Sequence, residues 1–358
     1  MIGSLFFNII SCFFASGRFT NYSRGLIYSV IIIFVFLAIR YDYGNDYMPY
    51  FERFYELNRG DFNSINPLLM KGNEIGWVYL NLLFKPFGFF GMQIFLAGFS
   101  CFILYRFIKK YVHQKYYWLA IFIYIFQPYH LLVFSSAMRQ SVAISLFLFA
   151  FDYLIHKKPI HYVLVILFAS LFHTTSLILL PLIFLSYVKI TPKMGYIFLI
   201  FLIPFLFSYY SDLIIQQSTL FTLLYFNTEY SSYLDTDLSS SKLGIGFALN
   251  VIIYIMMFYN FRKTIITWQV ITFNLIVLSF LIVPLNLSIP LISRINFYFT
   301  PFLMIGYPLA LRNMKKQNYK LVFIGFIIIF TLYQYFSFFY SDTWSEKFYY
   351  YKTIFSLI

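Results

Sequence analysis

Long apolar runs separated by short polar connections set the pattern of this chain. A helix needs about 20 apolar residues to cross the roughly 30 Å hydrocarbon core of a bilayer. These runs also lack the apolar–polar alternation of barrel strands. The pattern therefore predicts an all-α, polytopic integral membrane protein with about 12 transmembrane helices, in a single domain over 1–358. The apolar runs lie near 2–16, 25–40, 87–106, 117–134, 138–155, 160–172, 175–188, 194–209, 243–261, 265–285, 291–311 and 320–339.

Three stretches qualify this pattern. LFHTTSLILLPLIF, 171–184, fits two short crossings or one long broken helix, and the charges that follow favour two. NEIGWVYLNLLFKPFG, 73–88, is too short to span and is interpreted as an amphipathic interfacial or re-entrant helix. No basic residue precedes the first run, so a membrane helix is expected there rather than a cleaved signal peptide.

The composition makes lipid the solvent for most of the chain. Of its 358 residues, 61% are hydrophobic and only 11% are charged, which excludes an ordinary soluble domain. Cys12 and Cys101 both lie in apolar runs, so neither a disulfide framework nor a metal site is predicted. No Gly-rich phosphate loop is present, so no nucleotide site is predicted. No cofactor is expected.

The net charge of +13 follows from topology and predicts no nucleic-acid partner. Sixteen of the 26 basic residues fall in one set of loops, where the only acidic residue is Asp152. The other 12 of the 13 acidic residues fall on the opposite side. The basic side is predicted to be cytoplasmic, with both termini outside. The outer side then carries two long loops, about 41–86 and 210–242.

Three arginines, Arg40, Arg139 and Arg294, lie at the outer ends of apolar runs. Charge at that depth is costly and indicates function. The planar guanidinium group also matches phosphate oxygens in pairs, so three converging arginines would suit a pyrophosphate. The alternative is that each side chain extends to the lipid headgroups. Arg139 begins a helix predicted to be capped by Ser135 or Ser136, where the helix dipole also favours an anion.

Two candidates for a general base lie on the predicted outer side. His173, in LFHTTS, can accept a proton from a hydroxyl or serve as a packed structural residue. Asp46 shares the loop IRYDYGNDYMPY, 39–50, with Arg40, and Gly44 permits a tight turn there. Asp46 is the favoured base because it shares this loop with Arg40. Asp42 is expected to pair with Arg40 at the helix end.

Five segments together resemble the EpsG family of exopolysaccharide proteins, relatives of Wzy-type O-antigen polymerases. They are IRYDYGNDYMPY, NEIGWVYLNLLFKPFG, SSAMRQSVAISLFLFAFDYL, LFASLFHTTSLILLPL and ISRINFYF. The resemblance implies transfer of a glycan from undecaprenyl pyrophosphate to the terminal sugar of a lipid-linked repeat, at the outer face of the bacterial inner membrane. For such a reaction, Arg40, Arg139 and Arg294 are expected to bind the pyrophosphate, and Tyr47, Glu74 and Gln140 to bind sugar. Asp46 and His173 are the expected catalytic residues, with Asp46 as the base and His173 positioning the acceptor or the pyrophosphate. The partners would be membrane lipid and a chain-length regulator protein.

Other functions stay open on sequence alone. An O-antigen ligase would use the same donor with a different acceptor. A transporter of lipid-linked oligosaccharide should bury charges at the bilayer midplane, whereas here the polar groups cluster toward one face. A membrane acyltransferase would need a histidine deep in a helix, and only His173 supports that possibility.

Overall fold

The structure is a computed structural model that describes residues 2–57, 74–187, 245–261, 266–288 and 290–357. Helix dominates this part of the chain. The α-helices are α1 (Ile2–Ala15), α2 (Tyr22–Ile39), α3 (Tyr47–Glu56), α4 (Ile75–Phe84), α5 (Gly88–Tyr111), α6 (Tyr117–Phe126), α7 (Leu131–Ser136), α8 (Met138–Ile155), α9 (Pro159–Ser170), α10 (Ile245–Phe261), α11 (Thr267–Ser288), α12 (Pro290–Phe299), α13 (Leu303–Asn313), α14 (Gln317–Phe339) and α15 (Asp342–Phe348). The run at 194–209 and the loop at 210–242 lie outside the described residues, as does part of the loop at 41–86.

The helix lengths identify an all-α membrane protein. Within the described residues, four helical stretches are long and apolar enough to cross a bilayer by length and composition, namely Tyr22–Ile39, Ile75–Tyr111, Met138–Ile155 and Gln317–Phe339. Five shorter apolar helices accompany them. The predicted helical class is thus confirmed, but the number of about 12 crossings is not.

Two of the predicted runs are broken by turns. The run at 117–134 divides into α6 and α7, and the run at 291–311 divides into α12 and α13 around a 3₁₀ turn, Thr300–Phe302. Pro128 and Pro301 lie at these breaks. Proline lacks a backbone N–H and collides with the preceding turn, so it interrupts a helix even within apolar sequence.

The segment at 73–88 forms α4, but its predicted amphipathic character is wrong. Its exposed residues are the apolar Ile75, Tyr79 and Leu83, which are spaced four apart and so form one stripe. The polar Asn81 is buried and donates to the carbonyl of Trp77. The helix continues through a 3₁₀ turn, Lys85–Phe87, into α5.

The chain reverses direction around His173. Helix α9 ends at Ser170, and a 3₁₀ helix, Thr174–Ser186, follows and packs against it. Near the start of α9, the Tyr162 hydroxyl donates to the carbonyl of Leu179 at 2.7 Å, so the two segments run antiparallel. This agrees with two segments rather than one long broken helix. At about 2 Å per residue, a 3₁₀ helix of 13 residues extends about 26 Å, further than the same residues as α-helix.

The described residues divide into two compact units. Among the described residues, the first contains 2–57, 74–187, 303–309 and 331–357, and the second contains 245–261, 266–288, 290–302 and 310–330. In the first, α2 packs against α1 and α5, and α8 packs against α5 and α9. In the second, α11 packs against α12, and Tyr254, Phe258 and Phe280 form part of an aromatic core. The sequence did not predict this division.

Two small strands join distant parts of the first unit. Strand β1, Arg40–Tyr41, pairs antiparallel with β2, Lys352–Thr353, with Arg40 opposite Thr353 and Tyr41 opposite Lys352. Strand β1 immediately follows α2, and β2 lies near the end of the described chain. The pairing therefore holds the C-terminal segment against the loop that follows α2.

Candidate active site

Glu74 joins two of the candidate residues. Its Oε1 lies 3.0 Å from Nδ1 of His173, and its Oε2 pairs with Nη1 of Arg139. Only 7% of the Glu74 side chain and 8% of the His173 side chain are exposed, against 22% for Arg139. The structure thus brings together three charged or titratable side chains that lie far apart in sequence.

The backbone fixes the position of the carboxylate. Glu74 is the N-cap residue of α4, and two residues later the backbone N–H of Gly76 donates to the carbonyl of Leu171 at 2.8 Å. A Cβ atom at Gly76 would lie only 2.8 Å from Leu171, so only glycine permits this approach. The start of α4 is thereby held against the end of α9, two residues before His173.

Arg139 lies in the first turn of α8, as the sequence predicts. The prediction that Ser135 or Ser136 caps α8 is wrong. The N-cap residue is Ala137, and no side chain caps this helix. Ser135 and Ser136 instead end α7. The hydroxyl of Ser135 donates to the carbonyl of Leu132, and that of Ser136 accepts the backbone N–H of Asp46. Ser136 therefore joins α7 to the start of α3, whereas Ser135 bonds within its own helix.

A buried tyrosine supports Arg139 from α3. Nε of Arg139 donates to the Tyr50 hydroxyl at 3.3 Å, and the guanidinium carbon lies 5.7 Å from the centre of the Tyr50 ring. The Tyr50 ring packs in turn against Trp77 of α4, with centroids 5.2 Å apart. Burial raises the pKa of Tyr50, which therefore stays neutral and accepts this hydrogen bond.

The cluster keeps Glu74 ionised. Burial alone would raise the pKa of this carboxyl group, but the hydrogen bond from His173 and the charge of Arg139 outweigh burial and lower the pKa overall. An ionised carboxylate can only accept, so the hydrogen bond at Oε1 comes from Nδ1–H of His173, and in a neutral ring the free lone pair then lies on Nε2. Nε2 is buried and has no hydrogen-bond partner within the described residues.

The loop after α2 holds the other candidate acids. Gly44 has a φ of +118° and confirms the predicted tight turn, and a Cβ there would lie 2.7 Å from Ser136. The expected pair between Asp42 and Arg40 is wrong, because Asp42 lies 2.8 Å from Nζ of Lys352 instead. Asp46 is exposed at the N-terminus of α3, and its side chain makes no capping bond.

Arg40 is bound to backbone rather than presented to the surface. Its guanidinium donates to the carbonyls of Leu37 and Ser135, the second at 3.0 Å, and only 4% of the residue is exposed. Burial lowers the pKa of Arg40 to about 10, which still leaves it charged at neutral pH. It also lines a small cavity of about 40 Å³ with Tyr124 and Ser145. These contacts bury Arg40 against backbone, which the sequence did not indicate, and its predicted role in pyrophosphate binding stays a prediction.

The remaining predicted residues occupy varied positions. Tyr47 is fully buried and donates to the carbonyl of Arg40 at 3.1 Å, so its ring has no face open to a sugar in this structure. Gln140 is also buried, beside Arg139 in sequence. Arg294 is half-buried on α12 in the second unit. Tyr50 and Gly76 were not predicted as site residues, since a tyrosine among 34 and a glycine in a helix carry no distinguishing pattern.

Comparison with known proteins identifies the family of this chain. The family model described as the EpsG family matches residues 4–353, nearly the whole length. The chain belongs to the EpsG family. This is a Wzy-like polymerase family, and membership indicates a polymerase-like membrane protein of exopolysaccharide or O-antigen synthesis. No curated protein and no solved structure matches the chain significantly. Within the described residues, no group of three or more His, Cys, Asp or Glu side chains is placed to hold a metal ion.

Proposed function

We propose that this EpsG-family protein is a polysaccharide repeat-unit polymerase. It transfers a growing glycan from polyprenyl pyrophosphate to the terminal sugar of a lipid-linked repeat. The observation that carries the proposal is the Glu74–His173 pair beside Arg139, in a chain whose family is polymerase-like. The pair supplies a base and the arginine supplies a cation, which are the two requirements of a transfer from a pyrophosphate donor.

In the proposed step, Nε2 of His173 takes the proton of the acceptor hydroxyl as the oxygen attacks C1 of the donor sugar. A new glycosidic bond forms at C1 while the bond from C1 to the pyrophosphate oxygen breaks. The leaving pyrophosphate carries away the negative charge, which Arg139 stabilises. Glu74 holds the imidazole ring by its Nδ1–H and balances the charge of the imidazolium that forms.

The arrangement supports His173 as the base more strongly than Asp46. A base oriented by a third group is the common pattern of proton-transfer sites, and His173 has such a group in Glu74. Asp46 is exposed and lacks a comparable partner among the hydrogen bonds of its side chain in the described residues. Asp46 stays the alternative base.

The proposed setting is the inner membrane, with the site on its outer face and a donor built on undecaprenyl pyrophosphate. The charge distribution supports this orientation. Asp152, near the C-terminal end of α8, lies 2.6 Å from Arg106 and 2.8 Å from Lys110 of α5. Arg139 lies at the opposite end of α8, and 13 residues of α-helix separate it from Asp152 by about 20 Å. The candidate site and the predicted cytoplasmic cluster are thus at different depths.

Two measurements test the function. A deletion strain of a polymerase should display single repeat units, whereas loss of a ligase should leave full-length lipid-linked polymer and loss of a transporter should trap single units inside. Single-turnover polymerisation by purified protein then tests the base. His173→Ala should slow the step by roughly 10²- to 10⁴-fold, and Asp46→Asn should slow it much less. The reverse pattern would assign the base to Asp46.

The variant Arg139→Lys tests the role of Arg139 as the cation that binds pyrophosphate. The comparison requires that the variant accumulates to the same protein level as wild type. Lysine keeps the charge but lacks the planar fork that binds two oxygens at once. We therefore expect sharply shortened polymer. Full-length polymer from this variant would remove Arg139 from pyrophosphate binding.

A further inference from the structure

One buried carboxylate serves two partners in the candidate site. Each oxygen of Glu74 has a different partner, Arg139 at Oε2 and His173 at Oε1. Its 7% exposure leaves little room for water to replace either partner. The negative charge that would stabilise a protonated His173 is therefore neutralised by Arg139 as long as the present contacts persist.

Arg139 has donors left for another anion. Its Nε contacts Tyr50 and its Nη1 contacts Glu74, while Nη2 makes no hydrogen bond within the described residues. A guanidinium carries five N–H donors in one plane. With 22% of its side chain exposed, Arg139 is also more accessible than Glu74. A pyrophosphate carries more charge than one carboxylate and can engage two donors together, so it competes well for this arginine.

We propose that a pyrophosphate group displaces Glu74 from Arg139, and that Glu74 then serves His173 alone. This inference rests on the proposed function and adds an order of events to it. Before the donor binds, Glu74 divides its two oxygens between Arg139 and His173. After the exchange, its charge faces His173 alone and balances the proton that His173 takes from the acceptor hydroxyl. The acceptor hydroxyl is therefore activated only when the donor is in place.

The exchange predicts that substitutions of Glu74 and His173 have opposite effects on pyrophosphate binding. In Glu74→Gln the competing charge is absent, so pyrophosphate should bind Arg139 more tightly, on the order of tenfold, within the usual range of coupling between sites. In His173→Ala, Glu74 keeps only Arg139 as a partner, so pyrophosphate should bind more weakly than in wild type. Arg139→Gln should abolish binding.

The experiment is calorimetric titration of inorganic pyrophosphate into the purified full-length protein and these variants. Melting temperatures are measured beside each titration to show that the variants are folded. Equal or weaker binding by Glu74→Gln would mean that the carboxylate only positions Arg139 and would overturn the exchange. If Glu74→Gln does not fold, the test rests on His173→Ala. Pyrophosphate binding by His173→Ala as tight as by wild type would overturn the exchange. Absence of pyrophosphate binding by the wild-type protein would also overturn the exchange.

Polymerisation of lipid-linked repeats, measured in the same preparations, separates this inference from the proposed function. A wild-type protein that shows the binding contrasts but does not polymerise refutes the polymerase and leaves the exchange standing. A protein that polymerises without the contrasts refutes the exchange alone.

Discussion

The ring of Tyr351 stacks on the ring of Phe36, with centroids 4.5 Å apart and planes 11° from parallel, although 315 residues separate the two. The Tyr351 hydroxyl also donates to the Phe36 carbonyl at 2.6 Å. Next in sequence, Lys352 contacts Asp42 in the loop after α2. This loop leads into α3, which carries Tyr50, so the C-terminal segment supports the residues that hold Arg139.

Tyr351→Ala should therefore destabilise the first unit. Removing a packed aromatic ring costs about 3 kcal/mol when the site cannot collapse. The neighbour Tyr350, which is 73% exposed, provides the control, and Tyr350→Ala should change stability by less than about 0.5 kcal/mol. Thermal unfolding of both variants in the same detergent makes the comparison. Equal loss in the two would show that the stack does not hold the segment.

Gly76→Ala should impair the site without a change in any charged residue. The added methyl group would lie 2.8 Å from both the Cβ and the carbonyl oxygen of Leu171, so the start of α4 must move away from the end of α9. Glu74 and His173 lie on these two segments, and a displacement of about 1 Å costs a catalytic site on the order of 10²-fold in rate.

The control for this substitution is Gly325→Ala in α14. A Cβ at Gly325 would meet nothing within 4 Å, and alanine favours helix over glycine by about 1 kcal/mol. Gly325→Ala should keep full activity and equal or greater stability. Normal polymerisation by Gly76→Ala would show that the contact with Leu171 is dispensable for the site.

The helices were predicted better than the site. The bounds of α8 match the apolar run at 138–155 because a continuous apolar stretch in lipid has no alternative to helix. Arg139 and His173 were identified because polar residues in such stretches are conspicuous. Their link through Glu74 was not predicted, because Glu74 lies 65 residues from Arg139 and 99 from His173. Local spacing carries no information on contacts at that range.

The sequence also did not predict how each arginine is buried. Arg40 and Arg139 have similar neighbours in the sequence, since each lies next to aromatic or small polar residues at the end of an apolar run. In the structure Arg40 binds backbone carbonyls, whereas Arg139 binds a carboxylate. The difference depends on which helices lie beside them, and hydropathy does not record it.

Stability should depend on pH through Glu74. Its pKa in the folded protein is lowered, so its contribution to stability is present above the unfolded-state pKa, about 4.3, and is lost as pH falls through the folded value. Glu74→Gln removes this dependence. The melting temperature of wild type should exceed that of Glu74→Gln most at neutral pH, and the gap should narrow below about pH 4. A gap that is constant from neutral to acidic pH would contradict the ion pairs of Glu74.

The orientation of the candidate site is open to direct measurement. Positive charge is enriched in cytoplasmic loops, so the turn between α5 and α6, which carries His113 and Lys115, should face inward. The segment after β2 should face outward with Glu74 and Arg139. Ser356 and Gln114 are exposed on these two segments and make suitable reporters. With Cys12 and Cys101 replaced by alanine, Ser356→Cys should react with an impermeant thiol reagent on intact cells. Gln114→Cys should react only after the membrane is opened. Labelling of Gln114→Cys on intact cells would reverse the orientation, and with it the face of the membrane on which the proposed donor and acceptor meet.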